Sequence, residues 1–503
     1  MNLALAPRLA ARVAAVALAA LWYATAPLPA ADDAGHGAVQ PGAAFDPKIK
    51  SAGDEPARAV KAFRLATPLR VDVWAAEPML ANPVAMAFDG RGRLYVAETF
   101  RFGHGVPDTR GMQKWLDDDL ACKTVADRVA MYRKWLDKNE YASYGVASER
   151  VQLLEDTKAA GRADRSTVFA EGFHNPADGV AAGVLVNQGD VYFACIPDLW
   201  RLRDTDGDRK ADVRESLHNG YGVHVNFVGH DLHGLTLGPD GRLYFSIGDR
   251  ALNVVTKEGT RLTHLDSGAV LRCELDGSRL ELFATGLRNP QELAFDDTGD
   301  LFTGDNNSDS GDKARVVHVV EGGDSGWRIG YQWIERPVAR GPWNSEKLWH
   351  TQWDGQAAYL VPPLWHGASG PSGLAREPGV SLLPEAYKHH FFLCDFHGSV
   401  AGSGVRSFAV EPKGASFAVV NEKEFVGNVA ASDVDFGPDG ALYILDWVEG
   451  WNIPMRGRVE RLYDPNSPRR AAVAEVKTLL AEGMAARSAD DLIQLLAHAD
   501  RRV

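Results

Sequence analysis

The chain has 503 residues, enough to bury a large core and more than one ordinary domain requires. A hydrophobic share of 45% and a charged share of 24% are those of a globular protein. The net charge of −13 argues against nucleic acid or an anionic membrane surface as the main partner, and 50 glycines with 13 tryptophans lean towards a turn-rich, β-dominated chain.

In chain order, Arg8 and Arg12 precede an apolar run from Val13 to Ala26, followed by P-L-P-A-A-D-D at 27–33. A basic start, roughly 14 apolar residues and small residues before the acidic start predict a secretory signal peptide over 1–31. The run is short of the about 20 residues a membrane span needs, although uncleaved it would act as an anchor. The mature chain is then expected to be exported, to the periplasm or cell surface. Cys122, Cys195, Cys273 and Cys394 are dispersed and form no C-x-x-C-H motif, so disulfides and buried thiols are equally compatible with them. Residues 32–62, rich in Ala, Gly, Pro and charge, read as a linker.

From Phe63 a unit repeats: an apolar strand, a turn with Gly and Asp or Asn, then a strand with an aromatic. It is seen as M-A-F-D-G-R-G-R-L-Y-V-A-E at 86–98, V-L-V-N-Q-G-D-V-Y-F-A at 184–194, and L-T-L-G-P-D-G-R-L-Y-F-S-I-G-D at 235–249. It returns as L-A-F-D-D-T-G-D-L-F-T-G-D at 293–305, in a weaker copy L-L-P-E-A-Y-K-H-H-F-F-L-C-D at 382–395, and as V-D-F-G-P-D-G-A-L-Y-I-L-D at 434–446. Six units, mostly roughly 50 to 60 residues apart, predict an all-β fold, a six-bladed β-propeller over 63–465. Two gaps are nearly twice as long and imply insertions. The first, at 101–150, has helical spacing in M-Q-K-W-L-D-D-D-L-A and V-A-M-Y-R-K-W-L. The second, at 327–370, holds Trp327, Trp333, Trp343, Trp349, Trp353 and Trp365. Both are expected over one face. After Ser467-Pro468, two amphipathic stretches predict a short C-terminal α-helical segment over 466–503, resembling the start of a HEAT-like helical repeat.

Three constellations carry chemistry. D-T-D-G-D-R-K-A-D-V-R-E places Asp204, Asp206, Asp208, Asp212 and Glu215 at the oxygen spacing of an EF-hand-like calcium loop, with Arg209 where glycine usually turns the chain. A solvated acidic loop is the alternative. G-L-R-N-P-Q-E-L-A-F supplies Arg288, Asn289 and Gln291, and the following loop gathers Asp305, Asn306, Asn307, Asp309 and Asp312. This reads as an anion-binding arginine beside a cation loop, or as an arginine tying a blade corner together. The third is His224, Asn226, His230 and His233 ahead of a strand. Histidine suits a general base, and these residues alone do not choose between His230 and His233.

H-D-L-H-G-L-T-L-G-P-D-G-R-L-Y-F-S-I-G-D, G-L-R-N-P-Q-E-L-A-F and G-G-D-S-G-W together resemble the soluble quinoprotein glucose/sorbosone dehydrogenase family, six-bladed propellers that bind pyrroloquinoline quinone (PQQ) and calcium. The whole chain is similar to the haem-binding, membrane-bound dehydrogenase-type propeller of planctomycete-type exported proteins, without a cytochrome c module. The resemblance implies that His230, eight residues before Gly238, is the catalytic histidine, and that Arg288, Asn289 and Gln291 contact the quinone. It also implies that Asn306 and Asn307 offer oxygens to a catalytic calcium, with Asp312 near a second. The family's later clamping lysine and arginines lack clear counterparts; His397 and Arg406 are the substitutes available. With no C-x-x-C-H motif, the electron acceptor is expected to be separate, for example a cytochrome c. The expected activity is oxidation of a sugar or other alcohol by hydride transfer to a quinone. Rival readings are a non-catalytic glycan- or protein-binding scaffold and a calcium-dependent lactonase-like hydrolase.

Overall fold

The computed structural model describes residues 45–309, 311–333, 341–349, 351–353, 356–357 and 360–503. The expected signal peptide and the first part of the expected linker lie outside them, as do parts of the second insertion. Residues 44–503 form one compact unit.

Six sheets of four or five strands make up this unit, and they are the blades of a propeller. The first strands of the blades are Pro83–Phe88, Gly183–Asn187, Leu232–Leu237, Pro290–Phe295, Pro371–Arg376 and Ala431–Phe436. They neighbour one another in that order, with the sixth beside the first. Arg70–Ala76 closes the ring by pairing antiparallel with Arg458–Tyr463 as the outer strand of blade 6, Val71 opposite Leu462. Backbone hydrogen bonds therefore seal the two ends of the propeller together.

Tight turns explain the repeat. In blade 3 the Gly241 amide donates to Gly238 O at 2.9 Å, with Gly241 at φ +78. The Tyr244 hydroxyl donates to Asp240 of the turn at 3.0 Å, and Tyr443 does the same to Asp439 in blade 6. A Cβ on Gly238 would meet the Tyr244 ring at 2.4 Å, so glycine is required there. Between blades 2 and 3, Tyr192, Leu199, Leu217, Tyr221, Phe245 and Leu271 interlock. Burying each large apolar side chain is worth about 1.5–3 kcal/mol.

Two expectations need correcting. Linker residues Glu55–Ala62 form a helix begun by Asp54 and Pro56, because the segment before it is tied to the propeller: the Lys50 amide donates to Met455 O and Ala52 to Glu77 O. In blade 5 the stretch at 382–390 is a connection rather than a first strand; that strand is Pro371–Arg376, and only Phe391–Asp395 matches the repeat. All four cysteines are free and buried. Among the described residues no helix is long and apolar enough to cross a membrane.

Strand alternation gives the ring two faces. Turns between first and second strands define one, the turn face. Ends of second strands and entries to first strands define the other, the loop face. The first insertion leaves blade 1 on the loop face and folds into Leu116–Ala121, Val125–Trp135 and Lys138–Ser143, with Thr124 and Asp127 forming a capping box. The second leaves blade 4 after Arg315–Val319, on the turn face, and climbs beside the outer strand of blade 3. Asp324 pairs parallel with Thr285, and the Trp327 amide donates to Gly286 O at 2.8 Å. It too reaches the loop face. The C-terminal helices, Arg470–Glu482 and Ala489–Leu495, dock on the turn face through Val473 and Val476 against Val380 and Leu382.

Candidate functional site

Second strands of four blades end in an acid, Glu98, Asp305, Asp395 and Asp446, and in blade 3 Asp249 follows the strand's end at Ile247 by two residues. In those four blades the acid caps backbone amides where the chain enters the same blade's first strand. Glu98 accepts from the Ala81 amide at 2.6 Å, Asp305 from Arg288 and Asn289 at 2.9 and 2.8 Å, and Asp395 from Ser369 and Gly370. Asp446 accepts from the Ala430 amide. Blade 3 departs from this pattern. Asp249 is fully buried and its oxygens accept from side chains: His230 Nδ1 at 2.7 Å, Asn226 Nδ2, and the Trp327 indole at 2.8 Å.

His230 stands in the loop entering blade 3, 5% exposed, with its ring edge-on to Phe227 at 5.4 Å. Because Asp249 is an acceptor, Nδ1 carries the proton and Nε2 the lone pair. No hydrogen bond reaches Nε2 among the described residues. Burial lowers the pKa of His230; the Asp249 carboxylate opposes this, and the Arg288 charge lowers it further. The outcome is a neutral, oriented imidazole with a free basic nitrogen.

Arg288 is 1% exposed. Its Nε donates to Gln332 Oε1 at 2.9 Å and Nη2 to Asp309 at 2.8 Å, and the guanidinium lies over Phe227 and Trp327. Its Nη1 is buried without a partner, as are Asn289 Oδ1 and Asn226 Oδ1. Such atoms cost about 1–3 kcal/mol each unless a ligand or water satisfies them. Asn289 Nδ2 donates to Gly229 O at 3.2 Å. Only glycine at 248 lets the two residues close up, since a Cβ there would meet His230 O at 2.7 Å and Asn289 Oδ1 at 2.8 Å. Gln291 enters through its backbone, its carbonyl accepting from Ser246 Oγ at 2.8 Å.

Asn306, Asn307 and Asp312 lie in the loop after blade 4's second strand, on the same face. Asp312 Oδ1 accepts from the Ser308 amide and hydroxyl, and Oδ2 from the Trp343 indole at 3.1 Å. Asn307 Nδ2 donates to Asp312 O at 3.3 Å. The other acidic loop is on the turn face, between Asp198–Arg203 and Val213–Asn219 of blade 2. There Asp204, Asp206 and Asp208 bring carboxylate oxygens within 4.8 Å of one another. Arg209 adopts φ +73, the left-handed turn that glycine usually makes. Asp212 accepts from the Thr205 amide and hydroxyl, while Glu215 pairs across the sheet with Arg201 at 2.5 Å and reaches Lys257 at 3.4 Å, outside the cluster of the other three.

Of the substitutes for the far side of the clamp, His397 follows blade 5's second strand on the loop face, its Nε2 3.0 Å from Asp395. Arg406 pairs with Glu422 within its own blade. Several residues of the site escaped sequence reasoning: Asp249, Gln332 and Phe227, and Asp119 from the helical insertion, which accepts from the Val225 and Asn226 amides at 2.6 and 3.1 Å; Trp327 stood in the quoted G-G-D-S-G-W motif without a role. Of the escaped residues only Asp249 had a signal, as the last residue of the quoted stretch L-Y-F-S-I-G-D.

A curated relative, quinoprotein glucose dehydrogenase B of Acinetobacter calcoaceticus, is 31% identical over 119 residues, covering 18% of this chain and 24% of that protein. The chain thus matches about a quarter of that relative's length. The crystal structure of a glucose dehydrogenase is similar with a TM-score of 0.51 and 17% identity, covering 78% of this chain and 99% of that one. The PQQ-bound form of an aldose sugar dehydrogenase from Streptomyces coelicolor matches with a TM-score of 0.47 and 16% identity, over 80% and 99%. The likeness to the glucose dehydrogenase structure is one of fold. A family profile described as a domain of unknown function, DUF7133, matches residues 55–451, from the first helix to the loop after blade 6's second strand, and the chain belongs to that family.

Proposed function

We propose that this propeller is a quinone-dependent dehydrogenase that oxidises a hydroxyl of a sugar or other small alcohol, with His230 as the base. The observation that carries the reading is the His230–Asp249 pair: a buried neutral imidazole, its Nδ1 held by a carboxylate, with an unpartnered Nε2. The unpartnered Arg288 Nη1 and Asn289 Oδ1 suit a planar ligand bearing carboxylates and carbonyls. PQQ fits that donor set, and Arg288, Asn289 and Gln291 would hold it. When bound, PQQ supplies a two-electron acceptor for the hydride. His230 Nε2 takes the hydroxyl proton as the carbon gives up its hydride and becomes a carbonyl. Asp249 offsets the imidazolium charge that forms, and Phe227 and Trp327 keep water from the ring.

The loop of Asn306, Asn307 and Asp312 is the proposed place for a calcium near the chemistry. Asp204, Asp206 and Asp208 would hold a structural one on the opposite face, with Asp212 beside them and Glu215 joining if it leaves Arg201. Electrons then pass to a separate acceptor such as a cytochrome c, in keeping with an exported protein.

The deep burial of His230 and Arg288 favours a second reading, a propeller scaffold without turnover. Titration with PQQ and calcium separates them. The dehydrogenase reading expects micromolar binding and dye-linked sugar oxidation, reduced about 10²–10⁴-fold in His230→Ala. Absence of PQQ binding with calcium present leaves the scaffold, and lactone hydrolysis without quinone would point to a hydrolase instead.

A further inference from the structure

The proposed reaction needs His230 Nε2 at a fixed place, yet His230 sits in an irregular loop. The peptide just before it is held from two sides. Gly229 O accepts from Asn289 Nδ2 at 3.2 Å and lies 3.0 Å from Nε2 of His233. His233 is on the first strand of blade 3, 3% exposed, and its Nδ1 lies 3.2 Å from Ala182 O, where the chain enters blade 2. One imidazole thus joins blade 2, blade 3 and the loop that carries His230. Gly183 packs on the His233 backbone, where a Cβ would make van der Waals contact at 3.5 Å with its Cα, and the strand pairing shifts register just after His233.

A neutral imidazole has a single N–H, so only one of these two carbonyls can accept from it. The titratable groups facing the ring are Asp231 and the neutral His230, and Asp231 is itself paired with the buried Arg250 at 2.8 Å. Burial opposes a second proton on His233 more than Asp231 favours one. The shorter of the two contacts is the one to Gly229.

We infer that His233 is a positioning residue: its Nε2–H donates to the Gly229 carbonyl and sets where the His230 imidazole stands. The inference rests on the reading of His230 as the base. The test uses the full chain labelled with 15N-histidine, with ring nitrogens read by two-bond 1H–15N correlation and His233 assigned from its loss in His233→Gln. The expected result is a neutral ring protonated on Nε2; a neutral ring protonated on Nδ1 overturns the inference. In a second arm, His233→Gln keeps an amide donor within reach of Gly229 and retains most of kcat. His233→Leu loses kcat by about 10²-fold with KM little changed, as misplaced catalytic groups do. The His230 Nδ1–H signal also shifts or broadens in His233→Leu. A folded His233→Leu with that signal and kcat unaltered overturns the inference as well. The NMR arms need neither quinone nor substrate, so failure of the dehydrogenase reading, seen as no quinone-linked oxidation by the unmodified protein, is distinguishable from failure of this one.

Discussion

Asp249 lies two residues beyond the place in the repeat that Glu98, Asp305, Asp395 and Asp446 hold, where blade 3 has Ile247, and it differs from them in what it meets. Where Glu98, Asp305, Asp395 and Asp446 take backbone amides, Asp249 takes His230, Asn226 and Trp327. An acid that caps amides is structural, whereas one that holds an imidazole fixes its tautomer. Asp249→Asn keeps the shape but offers an N–H where His230 needs an acceptor, so the ring turns its proton to Nε2. On the proposed function, kcat should fall about 10³-fold or more while the melting temperature changes little, read from steady-state kinetics beside calorimetry. A second residue-scale outcome concerns acid. Burial, then the Lys423 and Arg376 charges, lower the pKa of His390 to about 4. Its folded pKa is below the unfolded value of about 6.5, so the unfolded chain binds more protons as pH falls. The stability allowed by a neutral His390 is complete above about pH 6.5 and is lost on the way down to about 4. His390→Asn should therefore reduce the loss of stability over that window, with a slope smaller by up to about 1.4 kcal/mol per pH unit, measured by denaturant unfolding.

The two insertions are the elements that make the site. The helical one brings Asp119 beneath Val225 and Asn226, and its Arg110 lies over Phe227 at 4.4 Å. The tryptophan-rich one brings Trp327 to Asp249 and Gln332 to Arg288. Helical spacing made the first insertion readable in advance. The path of the second was not, because its anchor is a parallel pairing of Asp324 with Thr285 in the neighbouring blade, a contact without local periodicity. The blade 2 loop is a separate element. Its three clustered carboxylates repel one another without a cation, so calcium should raise the melting temperature relative to chelator. Asp206→Asn with Asp208→Asn should remove most of that difference; an equal calcium shift in the double variant would place the ion elsewhere.

At the scale of the whole molecule, the ring depends on one strand from the start of the propeller. Arg70–Ala76 is paired along its length with Arg458–Tyr463, and it brings Glu77, whose carboxylate meets Arg458 at 3.2 Å. Removing residues up to Ala76 leaves the third strand of blade 6 with an open edge, takes Trp74 away and uncovers Leu80, Tyr443 and Leu445, which pack with it. Such a chain should lose its single cooperative unfolding transition and aggregate. Deleting only residues up to 53 should leave the transition in place at a lower midpoint, because the ring stays closed. The turn face carries the C-terminal helices, where Arg501 donates to Arg376 O and Glu377 O, so the proposed chemistry and the helical segment occupy opposite faces.

Six blades, their turns, the helical insertion and the C-terminal helices were legible in the chain because each rests on local rules: period-2 strands, glycine at a tight turn, and helical spacing. The resemblance to a known family pointed to His230, Arg288 and Asn289, where the residues alone left His230 and His233 open. What the chain alone left open was decided by contacts between residues far apart in sequence. Asp249 became the partner of His230 because loop and strand end meet at one corner of a blade, and His233 was drawn to the backbone by Ala182 and Gly229. Glu215 was drawn off the acidic loop by Arg201 across its sheet, and Arg406 off the mouth by Glu422. Local sequence determines which elements form; which polar groups are freed for chemistry depends on which of them tertiary packing has already satisfied.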